Sequence, residues 1–356
     1  MELYHRLIQE WRRHTTLPIL VLPLLLLTVG VDLWGGVVLE RIVIIMFINL
    51  SLVLALQMFM GNSGVASFAH IGFMGIGAYA SALFSMTPEA KTITLRNLYP
   101  ILREVHLPFF VALLIGAGIV ALVAAVVGVP LMRLSGAASV IATFALLVII
   151  HGVLINWSEV TNGPRTLFGL DPYTTLWMSA GWGLFFIVVA YWFKETPLGL
   201  QLRASREEDK AAASIGIPIV KVRWVAFVLS AFVAGVAGVL WAHFITSFSP
   251  LAFYLSQTFL VITMLIVGGT ASITGAVVGT VLITVLFEGL RAIENAINLS
   301  GFLPFTVSGL SGLFLSVALI LILIFRPAGV TGGREVHWPR LRQTEEEVRC
   351  DARSDQ

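Results

Sequence analysis

Residues 108–128 read Pro-Phe-Phe-Val-Ala-Leu-Leu-Ile-Gly-Ala-Gly-Ile-Val-Ala-Leu-Val-Ala-Ala-Val-Val-Gly, without a single charge. About 20 such residues wind into a helix long enough to cross the hydrocarbon core of a bilayer, where every backbone N–H and C=O must be satisfied inside the helix. This stretch sets the class of the chain, and nine more repeat its pattern. The ten expected spans are roughly 17–34, 42–60, 63–86, 108–128, 134–155, 176–193, 224–246, 253–268, 272–290 and 304–325. Only Gly269, Thr270 and Ala271 separate the eighth from the ninth, which leaves a tight hairpin and a single re-entrant unit both open. The expectation is an all-α, polytopic membrane helix bundle of about ten transmembrane helices. Residues 1–16 form an N-terminal segment, 17–325 the transmembrane domain and 326–356 a solvated tail.

Composition supports this. The chain is 58% hydrophobic and 12% charged, about half the charge expected of a soluble domain. Charges are also segregated: residues 225–325 hold only Glu288, Arg291 and Glu294, whereas 194–223 hold ten. One cysteine, Cys350, excludes an internal disulfide framework and a cysteine-ligated metal centre. A net charge of +2 without a long basic run argues against nucleic acid as a partner and leaves the lipid bilayer and other proteins. With the N-terminus inside, 16 of the 22 Lys and Arg residues fall on the cytoplasmic side, which orients a multi-pass chain with both termini cytoplasmic. Lys91, Arg96 and Arg103, clustered in one loop, run against that rule. The first span has a long basic leader and no small-x-small site after it, so it is expected to be retained as a helix.

Glycine and polar residues interrupt the expected third span at its start. Gly61-Asn62-Ser63-Gly64-Val65-Ala66-Ser67-Phe68-Ala69-His70 has the composition of a broken helix, tolerated in a membrane only where it lines a cavity within protein. Asn62, Ser63, Ser67 and His70 are candidates to line a solute path. A helix through this stretch would place Ser63, Ser67 and His70 on one face. The other reading is local: serines bonding back to the helix, with His70 satisfied by a neighbour. Glu288, near Arg291 at a span end, reads more readily as half of an interfacial pair than as a proton relay.

No catalytic constellation is present, nor a Gly-x-x-x-x-Gly-Lys-Ser/Thr phosphate loop. No metal or cofactor site is expected, and a transporter built this way must take its energy from another subunit. The wet 194–223 loop is the segment to offer one. Thr196-Pro197-Leu198-Gly199 opens a helix, good helix formers run from Leu200 to Ile215, and Gly216 with Pro218 ends it.

This loop resembles the coupling segment of the LivM-type permeases of branched-chain amino acid ABC importers. The residues that carry the likeness are Thr196-Pro197-Leu198-Gly199, Leu202-Arg203-Ala204, Arg206-Glu207, Asp209, Ala211-Ala212 and Gly216. The likeness recurs, in order, at Gly64–Ser81, at Thr161-Asn162-Gly163 with Gly169, at Ser249-Pro250 and at Val267-Gly268-Gly269 with Gly275 and Gly279. It implies an importer permease of the type II, vitamin-importer-like kind, in a bacterial inner membrane. Two ATPase subunits, a homologous second permease similar to LivH and a periplasmic or lipid-anchored solute-binding protein would complete it. Arg203, Arg206, Glu207, Asp209, Ala211, Ala212 and Gly216 would then form the ATPase-coupling loop, and Thr161, Asn162 and Gly163 an external loop. The chain departs from the family pattern at Lys210, which precedes Ala211-Ala212, and at Pro164-Arg165, where a second glycine is usual. The second departure leaves urea, short amides and other small solutes open beside branched-chain amino acids. A carrier or channel working alone is the rival of another class.

Overall fold

The structure, a computed structural model, describes residues 16–300 and, beyond them, 309, 312–313, 316–317, 320, 324–326 and 328–336. Among these, eight helices are long and apolar enough to cross a membrane. The chain opens with α1 (Thr16–Trp34) and α2 (Val37–Leu56), which runs on through a π-helical turn, Gln57–Gly61. There follow α3 (His70–Ser85), the short α4 (Pro88–Thr94) and α5 (Pro100–Arg103), then α6 (Phe109–Leu131), α7 (Gly136–Asn156) and the single turn α8 (Ser158–Thr161). The second half holds α9 (Leu176–Glu195), α10 (Pro197–Glu207), α11 (Asp209–Ser214), α12 (Ile219–Ile245), α13 (Leu255–Gly268) and α14 (Ile273–Ser300). A two-residue ladder, β1 (Leu167–Phe168) against β2 (Ser247–Phe248), ties two loops at the end of the bundle away from 194–223.

Two expected spans need correction or lie out of view. Where a helix over 63–86 was expected, the chain is irregular from Gly64 to Ala69 and helical only over the 16 residues of α3. That is about 24 Å of helix, shorter than the hydrocarbon core. It is long enough here because α3 meets protein on all sides: Ile71, Phe73, Met74, Ala78 and Ala82 are all buried. Most of the expected last span, 304–325, lies outside the described residues. The open choice at 269–271 is resolved as a tight hairpin of two unequal helices, 14 and 28 residues long, turning at Gly269 with φ 119°.

The centre is α2, α3 and α12, and what joins α3 to α12 is the absence of side chains. A Cβ added to Gly77 would lie 2.4 Å from the Gly235 carbonyl oxygen, and one on Gly238 would lie 2.0 Å from that of Met74. Between α13 and α14 the same holds at Gly279, 2.0 Å from the Met264 carbonyl oxygen. Apolar lipid tails offer no hydrophobic drive for helices to associate, so backbone-close packing of this kind supplies the attraction. Around the centre, α1, α6 and α7 are buried on one side only and expose large apolar groups such as Leu26, Leu122, Val126, Ile141 and Ile149. Faces of this kind suit contact with lipid or with another apolar helix.

Gly238→Leu should therefore abolish recovery of a monodisperse protein, since the backbone it meets cannot yield as a side chain would. Gly118→Leu, with nothing within 4 Å, should elute like the parent in detergent size-exclusion chromatography. Equal recovery of both variants would refute the close-packing account.

Candidate functional site

The break after α2 is built as a series of substitutions for lost helical hydrogen bonds. Asn62 donates from Nδ2 to the carbonyls of Met58 (3.0 Å) and Gln57 (3.4 Å), covering acceptors that the π turn leaves open. Gly64 turns the chain at φ 71°, and Ser63 Oγ accepts from Val65 N at 3.2 Å. Because the backbone is not helical from 64 to 69, Ser63, Ser67 and His70 do not share one helix face. Instead His70 sits between two serines: Nδ1 is 3.1 Å from Ser67 Oγ and Nε2 is 2.9 Å from Ser230 Oγ on α12. Ser230 donates its hydrogen to the Phe227 carbonyl, so Nε2 must donate to Ser230 and Nδ1 accept from Ser67. The rings of Phe59, Phe73 and Phe227 lie around the imidazole at 6.0, 6.2 and 6.0 Å. Asn62, Ser63, Ser67 and His70 are all buried, at 1, 2, 1 and 1% exposure. Gln57 is wholly buried on the π turn, and neither of its amide atoms finds a partner among the described residues.

Against this break packs the wet segment. Thr196 caps α10 by accepting from Gly199 N at 3.2 Å, with Pro197 in the first turn. The expected single helix from Leu200 to Ile215 is two, α10 and α11, because Glu208 is extended (φ −156°, ψ 109°) between them. The bend aims Asp209 at Arg223 on α12, 2.6 Å away. Leu202, Ser205 and Ala212 point into the protein, while Glu207, Lys210, Ala211 and Gly216 (φ 87°) are exposed. Arg203 donates to the Lys194 carbonyl at 3.1 Å. Arg206 donates from Nη1 to the Gly61 carbonyl at 2.7 Å, so the segment is bonded directly to the broken end of α2. A cleft of about 460 Å³ lies between them, lined by Ser63, Gly64, Arg206, Asp209 and Arg223 among others.

A third strand of this region was not expected. Residues 328–336 are not a solvated tail but part of the fold: Val330 N donates to the Val267 carbonyl (2.8 Å) and Thr331 Oγ1 to that of Gly268 (2.7 Å). This moves the boundary of the folded unit past 325. Glu335 ends the stretch with its carboxylate on the N-terminus of α14, accepting from Ile273 N (2.9 Å), Thr274 N (3.0 Å) and Thr274 Oγ1 (2.8 Å). Lys194 Nζ meets the same carboxylate at 2.6 Å and also the Ala271 carbonyl at 3.3 Å. Burial alone would push the Glu335 carboxyl up, but Lys194 and the two amides together hold it below the usual carboxylate range. Local spacing could not have found this pair, whose members stand 141 positions apart.

At the far end, Thr161, Asn162 and Gly163 form a compact turn. Thr161 Oγ1 donates to the Leu154 carbonyl at 2.7 Å, and Asn162 and Gly163 take φ of 67° and 64°. Asn162 donates from Nδ2 to the Thr166 carbonyl at 3.1 Å. In the neighbouring loop Lys91 is fully buried, its ammonium donating to the Leu102 (3.0 Å) and Val105 carbonyls, and burial pulls its pKa below the ordinary lysine value. Arg103 donates to the Arg96 carbonyl at 2.8 Å. Lys91 and Arg103, two of the three cations that run against the orientation rule, are thus held by their own loop's backbone.

A family model described as branched-chain amino acid transport system / permease component matches residues 38–323. The chain belongs to this family. It is 28% identical over 313 residues to the high-affinity branched-chain amino acid transport system permease protein LivM of Salmonella typhimurium, and 27% identical over 312 to that of Escherichia coli. Each match takes in 78% of this chain and 66% of the relative's length. The probable branched-chain amino acid transport permease protein LivH of Methanocaldococcus jannaschii is 27% identical over 333 residues, 88% of this chain and 96% of the relative. No solved structure matches the chain. The family and the eight long apolar helices together make it a multi-pass membrane protein.

Glu335→Gln should lower the melting temperature at neutral pH, and Glu335→Ala should cost about 3 kcal/mol by leaving Lys194 buried without its partner. A carboxyl held low in the folded state contributes its stability above the unfolded value, about 4.3, and loses it as pH falls through the lower folded value. The gap between parent and Glu335→Gln should accordingly hold steady from neutral pH down to about 5 and close in stronger acid. A gap independent of pH would show that the charge of Glu335 does not matter.

Proposed function

We propose that this chain is the permease subunit of an ATP-driven importer for branched-chain amino acids, worked through residues 194–223 by ATPase subunits on other chains. Family membership supports the transport class. The observation that carries the coupling reading is the bonding of the wet segment to the bundle at three separate places: Arg206 to Gly61, Asp209 to Arg223, and Lys194 to Glu335, whose carboxylate caps the start of α14. A force applied to α10 reaches the end of α2 through Arg206, one applied to α11 reaches α12 through Asp209, and the end of α9, which Arg203 of α10 bonds, is tied through Glu335 to the start of α14. Arg203, Arg206 and Asp209 act as the inner fastenings, and Ala212 packs beneath them. Glu207, Ala211 and Gly216 belong to the outward side that an ATPase groove would receive.

That outward side is also apolar where a solvated connector would not be. Ile215 is 75% exposed and Leu200 51%, groups that gain by docking against a partner. ATP-driven closure of the ATPase pair shifts the bundle only so far as the pair grips its two states unequally. Under this reading the segment is cytoplasmic, in keeping with the six basic residues it holds, and the chain lies in a bacterial inner membrane with both termini inside. The exemption of Lys91 and Arg103 as structural cations supports that orientation. A second permease of the LivH kind and a solute-binding protein at the far end, near Thr161-Asn162-Gly163, complete the assembly. Ser63, Ser67 and His70 serve the path by holding its wall, since their polar atoms are engaged within the chain, and Asn62 stands with them, its Nδ2 engaged and its buried Oδ1 without a partner among the described residues.

Ile215→Asp should reduce both ATP-dependent uptake and recovery of an ATP-binding-cassette subunit in mild-detergent purification by about tenfold, with normal yield of the permease. Ile101→Asp, exposed on α5 at the other end, should leave both unchanged. An ATPase that co-purifies equally with both variants, or uptake by this chain alone in vesicles without ATP, would defeat the proposal.

A further inference from the structure

A second cleft, of about 620 Å³, lies between α2, α13 and α14, within the size range of small-molecule sites. It runs from Leu251, at the end of the bundle away from 194–223, to Asn49 and Met264 at mid-bundle. Its walls are chiefly apolar, among them Trp241, Leu260, Met264 and Phe287. Ser256 and, from the described residues beyond α14, Gly309, Gly312 and Ser316 complete the lining, and against that background three polar features stand out. Gln257 Nε2 donates to Asn49 Oδ1 at 3.0 Å. Thr284 lines the cleft with 5% exposure, and its hydroxyl has no partner among the described residues. One turn further along α14, Glu288 and Arg291 face each other at 3.8 Å.

We infer that this cleft is a transit site for a zwitterionic aliphatic amino acid, entered from the end of the bundle away from 194–223. The ligand's α-ammonium meets Glu288, its α-carboxylate meets Arg291, and its side chain lies on Leu260, Met264 and Phe287. A single helix turn offers the two charges side by side, as the ammonium and carboxylate of one α-carbon require. Their 3.8 Å contact is loose, and Arg291 is 61% exposed on its side chain, so a ligand can part the pair without stranding a buried charge. An ordinary i, i+3 surface pair would need no cleft beside it. A path must also release what it admits, and a half-solvated charge pair holds a zwitterion weakly enough to let it go. The inference rests on the importer reading of the preceding section and assigns its solute class to particular residues.

Cys350 is the only cysteine, which makes the test direct. The complete complex carrying Cys350→Ser and Ser256→Cys, with its ATPase and binding protein in nanodiscs, is first checked for ATP-dependent uptake of L-leucine. The rate at which a thiol reagent labels position 256, exposed on the rim, is then measured with L-leucine, 3-methylbutylamine, 4-methylpentanoate or urea. Leucine should slow labelling about tenfold while the amine and the acid, each lacking one charge, do not. Glu288→Gln and Arg291→Gln should each remove the protection. Protection by urea, protection by leucine that survives both charge variants, or no protection in a complex that transports leucine would overturn the cleft assignment alone. A complex that takes up no leucine with ATP would bring down the importer reading and this inference with it.

Discussion

Inside a bilayer no water stands ready to take up a hydrogen bond that the chain fails to make, and the break after Gly61 shows how the protein meets that constraint. The π turn frees backbone acceptors, Asn62 covers two of them, and Arg206 reaches across from α10 to cover Gly61. Satisfying the backbone at one interrupted helix thus fixes where the wet 194–223 segment must lie. Asp209 then meets Arg223, and Lys194 is placed beside Glu335 at the start of α14. Charges that would be costly in hydrocarbon are confined to one end of the bundle, where they fasten helices that approach one another through glycine.

Long apolar runs were legible because they depend on composition over some 20 residues, and eight of the ten expected spans recur, the one expected over 272–290 running on to Ser300. The failures share a cause. Residues 63–86 carry enough apolar character for a span, yet Gly64 takes a positive φ and helix begins only at His70. Composition reports what a segment can bury, not whether it meets lipid or protein. In the same way, Arg326 onward read as tail because it is polar, whereas Thr331 and Glu335 spend that polarity on Gly268 and α14.

The wet segment itself was plain from charge clustering and from the turn-like start at Thr196-Pro197-Leu198-Gly199, but its division at Glu208 was not. That bend depends on Arg223, 14 positions beyond Asp209, and helix propensity knows nothing of such a partner. The polar stretch around His70 was recognisable as unusual, and the identity of its partner was not. Nothing local to His70 points to Ser230.

The separation of those two residues bears on how the protein is made. His70 and Ser85 bond to Ser230 and His243 of α12, which lie 160 and 158 positions later than His70 and Ser85. At about 5–20 residues per second, a ribosome needs on the order of ten seconds or more to reach α12 after finishing α3. During that interval a short, glycine-rich helix with unmet polar groups sits at the insertion machinery without its neighbour. Biogenesis of this chain therefore requires a place where α3 can wait, and a slowed or truncated synthesis before Ser230 leaves the fragment as a substrate for membrane proteases.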